Sequence, residues 1–165
     1  MHTLMKIAPG GATLLAAVFA AHAQTVAPPT DAQQITRVGT QSSMAAPAEH
    51  FSGQARIDPV WPADKHIAAS GGLVTFEPGA RSAWHTHPLG QRLVVVSGVG
   101  LTQEWGKPVQ EIHPGDVVWC PPGVKHWHGA APSTAMTHLA ITGTTAAGTN
   151  VTWMEKVTDA QYHTR

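Results

Sequence analysis

From residue 73 onward the chain consists of short apolar runs, each ended by glycine or proline. The runs are LVTFE, LVVV, LTQEW, VQEI and VVWC, followed by residues 125–128 and 136–142. β-branched and aromatic residues, which strands favour, are enriched in them. Strands of this length, bounded by turn residues at this spacing, are typical of an antiparallel sandwich or barrel. The pattern therefore predicts an all-β domain.

The flanking segments are less regular. Residues 34–38 are predicted to form a short edge strand and residues 51–57 another strand, with an aromatic loop at residues 59–64. Near the C-terminus, apolar residues recur close to helical spacing, which predicts a short helix. These residues are Val151, Met154, Val157 and Ala160. No internal repeat and no second domain are apparent.

The N-terminus has the pattern of a targeting segment. Lys6 precedes an apolar stretch, and Ala21-His22-Ala23 has the small-x-small form of a signal peptidase site. The apolar stretch is too short and too rich in glycine for a membrane span. We therefore expect an exported protein, periplasmic or secreted, that is free of the membrane after cleavage.

This reading divides the chain into three parts. Residues 1–23 are the signal peptide, residues 24–48 a flexible leader with the edge strand, and residues 49–165 a single folded domain. The leader is polar and contains Pro28-Pro29, as expected for a flexible segment.

The amino-acid composition limits the kinds of partner that the protein is expected to bind. Ten basic and ten acidic residues give a formal net charge of +0, so no signature of nucleic-acid or membrane-surface binding is present. The 11 histidines are the unusual feature and point to a metal or proton-transfer site. Cys120 is the only cysteine, so no internal disulfide can form. Within VVWC we expect it to be a small buried apolar side chain.

Two histidine pairs share one spacing. His85 and His87 lie two residues apart, and so do His126 and His128. On a β-strand, side chains at positions i and i+2 point to the same face. If both segments are extended and adjacent, the two pairs can converge on one metal ion inside a barrel.

The spacing around these pairs resembles the two cupin motifs. Gly79, five residues, His85-x-His87, three residues, Gln91, six residues and Gly98 match the first. Gly115, five residues, Pro121-x-Gly123, two residues and His126 match the second. The first motif usually has Glu where this chain has Gln91, and the second lacks its terminal Asn, since Ala130 stands there.

The two departures, at Gln91 and Ala130, point to a particular group of cupins. The runs FEPGARSAWHTHPLGQ and EIHPGDVVWCPPGVKHWHGAAPSTAMTHLAI resemble the small bacterial manganese cupins that act as hydroxynitrile lyases. The resemblance implies an all-β, single-domain cupin fold, a double-stranded β-helix or jelly-roll barrel. It also implies one divalent metal ion, manganese by resemblance, with iron or zinc also compatible. The implied metal ligands are His85, His87, Gln91 and His126.

Two further histidines complete the implied site. His128 is expected to face the same cavity without binding the metal and to accept the substrate's hydroxyl proton. His138 is expected in the pocket, where it would orient cyanide or protonate it. Because all four ligands are neutral, the ion keeps its formal charge of +2, whereas a Glu at position 91 would reduce it. Such a site favours anions such as an alkoxide or cyanide.

The implied reaction is reversible cleavage of a cyanohydrin, such as mandelonitrile, to an aldehyde or ketone and hydrogen cyanide. Two other functions remain open at this stage. One is an iron or manganese cupin dioxygenase acting on phenolic or alkene substrates, and the other is a periplasmic cupin that binds a small ligand without turnover. In each case the partner is a small molecule. Sheet edges in small barrels often pair, so we also expect a homo-oligomer.

Overall fold

The computed structural model describes residues 32–164, so the predicted signal peptide lies outside the described residues. This part of the chain contains thirteen strands and one helix. The strands are β1 Met44–Ala45, β2 Phe51–Ser52, β3 Ala55–Trp61, β4 Ala69–Phe76, β5 Arg81–Ser82, β6 His85–Thr86, β7 Gln91–Gly98, β8 Gly100–Glu104, β9 Gln110–Ile112, β10 Val117–Cys120, β11 His126–Ala130, β12 Met136–Gly143 and β13 Thr152–Trp153. The helix, α1, is Asp159–His163. The predicted all-β class is confirmed.

Two antiparallel sheets form the domain. The first has the strand order β1-β3-β4-β12-β7-β10. The second has the order β13-β6-β11-β5-β2, with β8 pairing with β11 and β9 pairing with β8. Chain neighbours are often not sheet neighbours, since β12 pairs with both β4 and β7. This arrangement brings residues from distant parts of the sequence onto two facing inner surfaces.

The inner face of β12 is set by alternation. Met136, His138 and Thr142 are buried, whereas the intervening residues are more exposed. Opposite β12, the ladder to β7 shifts register, because Thr137 pairs with Ser97 and His138 with Val95. Such a bulge adds one residue to one strand and changes which side chains face inward.

Two clusters of apolar side chains make the core. The larger lies between the sheets and comprises Phe51, Val74, Phe76, Ala80, Val95, Ile112, Ala130 and Met136. The smaller lies beneath the C-terminal segment and comprises Trp84, Leu101, Trp127, Val157 and Tyr162. Trp84 and Trp127 are therefore packing residues. Trp119 packs on the outside, where the Arg92 guanidinium carbon lies 4.6 Å from its ring centroid.

Gly98, the last residue of the first motif, has a steric reason to be glycine. Its φ is +78°, a region that L side chains rarely adopt. A Cβ built there would lie 1.8 Å from the carbonyl oxygen of Ala135. The backbone of β7 can pass this close to the start of β12 only without a side chain.

Three predicted elements differ from the structure. Residues 34–38 do not form a strand, and the edge strand is instead Met44–Ala45, paired with β3. Trp61 ends β3 rather than lying in a loop, and its ring covers Gly71. The predicted short C-terminal helix is confirmed, but it is limited to Asp159–His163, because residues 152–153 pair with β6 as strand β13. The four apolar residues therefore do not form one buried helical face, since Met154 and Ala160 are exposed and Val157 is in a core cluster.

Cys120 is buried, as expected from its apolar run, with 4% of its surface exposed. Burial raises the pKa of the Cys120 thiol to about 12, and the nearby Glu104 charge adds to this. Among the described residues, the structure contains no helix long and apolar enough to cross a membrane.

Candidate metal centre

The two histidine pairs meet because their strands are neighbours. β6 and β11 are antiparallel, and His85 and His126 are Cα partners in that ladder. Their ring centroids lie 4.3 Å apart. The ring of His87, just after β6, lies 5.0 Å from that of His85 and 5.4 Å from that of His126. The convergence expected from the spacing is therefore present for these three side chains.

Gln91 reaches the same place from the other sheet. It begins β7, and Thr142 of β12 is its Cα partner. Its Nε2 donates a hydrogen bond to Thr142 Oγ1 at 3.0 Å. This bond leaves Oε1 buried, with no hydrogen-bond partner among the described residues. A buried amide oxygen in this state is an available cation ligand.

Three of the imidazoles are held by backbone carbonyls. His85 Nδ1 donates to Ala83 O at 2.9 Å, and His126 Nδ1 donates to Val124 O at the same distance. His87 Nδ1 donates to Asn150 O at 2.5 Å. A carbonyl can only accept, so the proton of each neutral ring is on Nδ1 and its Nε2 carries a free lone pair. This is the arrangement that metal-binding histidines usually have.

His128 differs from these three. Its Nδ1 lies 3.0 Å from His138 Nε2, so a side chain, not a carbonyl, is its partner. His128 Nε2 and His138 Nδ1 are buried with no hydrogen-bond partner within residues 32–164. Phe76 packs against both rings, with centroids 5.8 and 5.7 Å away. The two histidines thus form a coupled pair inside an apolar setting.

Distance alone favours a different set of three histidines from the one that the motifs imply. Ring nitrogens of His85, His126 and His128 all lie within 4.8 Å of one another, and His87 is outside that group. The hydrogen bonds favour the other choice, since His87 donates from Nδ1 to a backbone carbonyl, as His85 and His126 do, whereas His128 does not. Small side-chain rotations change the nitrogen spacings but not the partner of each Nδ1.

Comparison with known proteins assigns the chain that carries this cluster of side chains to a family. The chain is 60% identical over 129 residues to a protein named (R)-mandelonitrile lyase from Granulicella tundricola, covering 78% of this chain and 98% of the relative. The Cupin domain model matches residues 72–142, which span both histidine pairs. The chain belongs to the cupin family. The predicted resemblance to cupin hydroxynitrile lyases is confirmed, and with it the prediction that the protein is a lyase.

Solved structures agree with this assignment. A cupin-like protein from Thermotoga maritima superposes on this cupin with a TM-score of 0.67 at 36% identity, covering 79% of this chain and 95% of the other. A cupin 2 conserved barrel domain protein from Rhodopseudomonas palustris superposes with a TM-score of 0.58 at 19% identity, covering 69% and 77% of the two chains. The second likeness concerns the fold alone.

Burial keeps the five histidines of the site neutral at neutral pH, because it lowers the pKa of each imidazole. Loss of solvation lowers the pKa of His87 below its usual value, and that of His126 to about 4. It lowers the pKa of His85 and His128 well below the usual value, with neighbouring imidazoles adding to the effect. Burial also lowers the pKa of His138 to about 4. Neutral imidazoles are the form that binds metal ions, so the donor set fits a divalent ion.

Part of the cluster lines a cavity of about 570 Å³. His85, His87, Gln91 and His128 line it, whereas His126 and His138 do not. The other walls are mostly apolar or aromatic and include Phe51, Ile57, Val74, Val151 and Trp153. Of the residues that the structure describes, no Asp, Glu, Lys or Arg lines this cavity. It is therefore suited to a neutral molecule with an apolar group.

Sequence reasoning missed two residues of the site. Asn150 contributes its backbone carbonyl, which no side-chain pattern can reveal. Thr142, which holds the Gln91 amide, lies on the same face of β12 as His138, four residues further on. Alternation counted from His138 would have found Thr142, because residues i and i+4 of a strand share a face.

Proposed function

We propose that this cupin is a metal-dependent hydroxynitrile lyase, which reversibly cleaves cyanohydrins such as mandelonitrile to an aldehyde or ketone and hydrogen cyanide. One observation carries the proposal. Imidazole nitrogens with free lone pairs lie close to the unpartnered His128 Nε2, at a cavity whose described lining residues include no Asp, Glu, Lys or Arg. The lyase relative with 60% identity gives independent support.

The proposed metal ligands are the Nε2 atoms of His85, His87 and His126 and the Oε1 atom of Gln91. The support is the hydrogen bonding around them. Each imidazole has its Nδ1 proton bound to a carbonyl, and the Gln91 amide nitrogen is bound to Thr142. All four donor atoms are thereby left facing inward as acceptors.

Manganese is the proposed ion. Imidazole ligands also suit zinc and iron, and manganese binds more weakly than either at a given site. The choice therefore rests on the family resemblance and on metal supply. A divalent ion held by these neutral ligands would supply Lewis-acid polarisation of the substrate's hydroxyl oxygen.

His128 is the proposed proton acceptor. For this role its proton must be on Nδ1, donated to His138 Nε2, so that Nε2 is free to accept. The hydroxyl proton then moves to His128 Nε2 as the carbon–carbon bond to the nitrile breaks and its electron pair leaves with cyanide. Return of the proton from His128 to cyanide gives hydrogen cyanide and restores the neutral ring. A positioned base of this kind contributes about 10²–10⁴-fold.

His138 acts on His128 in this proposal. Its expected role was direct contact with cyanide, but it lies behind His128 and does not line the cavity. As the acceptor for Nδ1–H it supports the tautomer of His128 whose Nε2 is free, and it stabilises the ring once that ring is protonated. This is the function that the buried partner of a catalytic histidine serves in other enzymes.

The cavity supports neutral substrates with an apolar substituent. A carboxylate substrate would need a cationic or multiply donating partner to replace its lost solvation. The described lining residues offer none apart from the metal-facing cluster. Aryl cyanohydrins meet this requirement, because the aromatic ring can pack on side chains such as Phe51 and Trp153.

The test is metal analysis of the purified protein combined with a mandelonitrile assay, before and after chelation. We expect about one divalent ion per chain, cyanide release that chelator abolishes, and recovery on adding manganese. Oxygen uptake with a phenolic substrate, without cyanide release, would instead identify an oxidative cupin. A fully metal-loaded protein that consumes no substrate would indicate a binding protein.

Two further proposals concern export and assembly. We propose that residues 1–23 are removed on export to the periplasm or medium, which N-terminal sequencing of the protein from its native cells tests.

We also propose a homo-oligomer formed through sheet edges, since β10 is the outer strand of its sheet. Sedimentation as a monomer at micromolar concentration would contradict this second proposal.

A further inference from the structure

Residues 150–163, called here the C-terminal strap, run beside the strand that carries the first histidine pair. Thr152 and Trp153 pair with Thr86 and His85 as β13. Trp84 N donates to Glu155 O, and Met154 N donates to Trp84 O, both at 2.9 Å. The strap therefore adds one edge strand to the second sheet, directly beside the proposed metal ligands His85 and His87.

The strap also holds one of these ligands directly. His87 Nδ1 donates to Asn150 O, 63 residues away in sequence. By contrast, the acceptors for His85 and His126 are carbonyls two residues earlier in their own segments. His87 is thus the one imidazole of the proposed ligand set whose orientation depends on a distant part of the chain.

One buried arginine anchors the strap. Arg81, on β5, is 9% exposed and donates from Nη2 to Asp159 Oδ1 at 2.6 Å. Its Nε and Nη2 also donate to Val157 O at 3.3 and 3.1 Å. Its guanidinium carbon lies 4.7 Å from the centre of the Tyr162 ring. A planar guanidinium can make this fork of bonds, whereas an ammonium group cannot.

Tyr162 provides a second attachment. Its hydroxyl donates to Ala130 O at 2.7 Å, and its ring is 3% exposed among Trp84, Leu101 and Trp127. Ala130 ends β11, the strand that carries His126 and His128. Tyr162 therefore fixes the strap to a strand that carries the site, and Arg81 fixes it to β5, which pairs with that strand at Gly129.

We propose that the C-terminal strap sets the metal affinity of the site through His87, and that Arg81 is the positioning residue that holds the strap in place. Release of the strap moves the Asn150 carbonyl away from His87. The ring then loses both its orientation and the acceptor that keeps its proton on Nδ1. Loss of such an outer hydrogen bond typically weakens metal binding about 10–100-fold. The inference rests on the proposed ligation by His87.

The first experiment measures metal affinity without reference to activity. Arg81→Met keeps much of the side-chain packing on Tyr162 and removes its hydrogen bonds. We expect about 10-fold weaker binding of Co²⁺ or Zn²⁺, measured by competition with a chelating dye. Tyr162→Phe, which removes one hydroxyl from an otherwise unchanged ring, should act in the same direction with a smaller effect.

Two controls separate positioning from general loss of stability. Arg56→Met removes an arginine of β3 whose hydrogen bond goes to Ser43 and not to the strap, and should leave metal affinity unchanged. Ile112→Ala weakens the other core cluster and should lower the melting temperature of the metal-free protein with little change in affinity. If Ile112→Ala weakens metal binding as much as Arg81→Met at equal loss of stability, the proposal is wrong.

A double-mutant cycle with His87→Ala is the decisive test. If the strap acts through His87, most of the effect of Arg81→Met on affinity disappears once His87 is absent. An equal loss in the presence and absence of His87 would overturn the inference. Failure of the wild-type protein to bind any divalent ion would instead overturn the proposed function, so the two failures are distinguishable.

Discussion

The two histidine pairs have the same spacing and neighbouring positions, yet their second members differ in chemistry. His85 and His126, the first members, are Cα partners, and each donates its Nδ1 proton to the carbonyl two residues before it. Of the second members, His87 donates to a backbone carbonyl of the strap, whereas His128 pairs with the side chain of His138. Spacing brings a histidine to the site, and the partner of its Nδ1 determines what it can do there.

This difference has a physical basis. A carbonyl accepts only, so it fixes an imidazole as a donor at Nδ1 and an acceptor at Nε2. A second imidazole can either donate or accept, so the proton between His128 and His138 can be on either ring. The first state suits a permanent metal ligand, and the second suits a group that gains and loses a proton during a reaction.

The largest predicted effect comes from removing the second member of the first pair. In His87→Ala we expect loss of lyase activity together with loss of bound metal. Its metal affinity should fall by more than the roughly 10–100-fold that an outer hydrogen bond is worth. Metal content by elemental analysis and cyanide release measure the two effects in the same sample. Retention of a full equivalent of tightly bound metal would remove His87 from the ligand set.

The corresponding substitution in the second pair should affect kcat and not metal content. His128→Ala is expected to retain its metal and lose about 10²–10⁴-fold in kcat, because it removes the proton acceptor. Steady-state kinetics on protein with verified metal content measure this. If His128→Ala loses the metal while His87→Ala keeps it, the ligand set is the spatially tighter one formed by His85, His126 and His128.

The smallest of the three effects is expected at His138. His138→Phe keeps an aromatic ring in a buried position and removes the acceptor for His128 Nδ1–H. We expect the metal to be retained and kcat to fall by less than in His128→Ala. In the double variant the His138 change should add little, because residues that act as a unit are not additive. Full additivity would indicate that His138 acts separately from His128.

Much of the fold was predictable from local patterns. Runs such as VVWC, bounded by proline and glycine, correspond to observed strands because turn residues end extended segments whatever the rest of the chain does. The proposed ligands come from the resemblance to the cupin motifs, and in the structure the rings of His85, His87 and His126 lie together while Gln91 lines the same cavity as His85 and His87. Local rules were sufficient where the neighbours along the chain determine the structure.

The sequence could not predict features that depend on distant partners. Strand β13 has only two residues and exists because β6 offers it a free edge. Val157 is buried among Trp84, Leu101 and Tyr162, so its helical spacing from neighbouring apolar residues was misleading. The direction of His138 depends on the strand ladders that flank β12. Each of these is decided by tertiary contacts that periodicity does not describe.

Cys120 has a consequence for handling the protein. Thiol oxidation and disulfide exchange proceed through the thiolate, and burial, which raises the pKa of the Cys120 thiol to about 12, disfavours that form near neutral pH. The sulfur is also buried, which limits the access of a second molecule. The purified protein should therefore retain a reduced thiol in air, without added reductant and without covalent dimers.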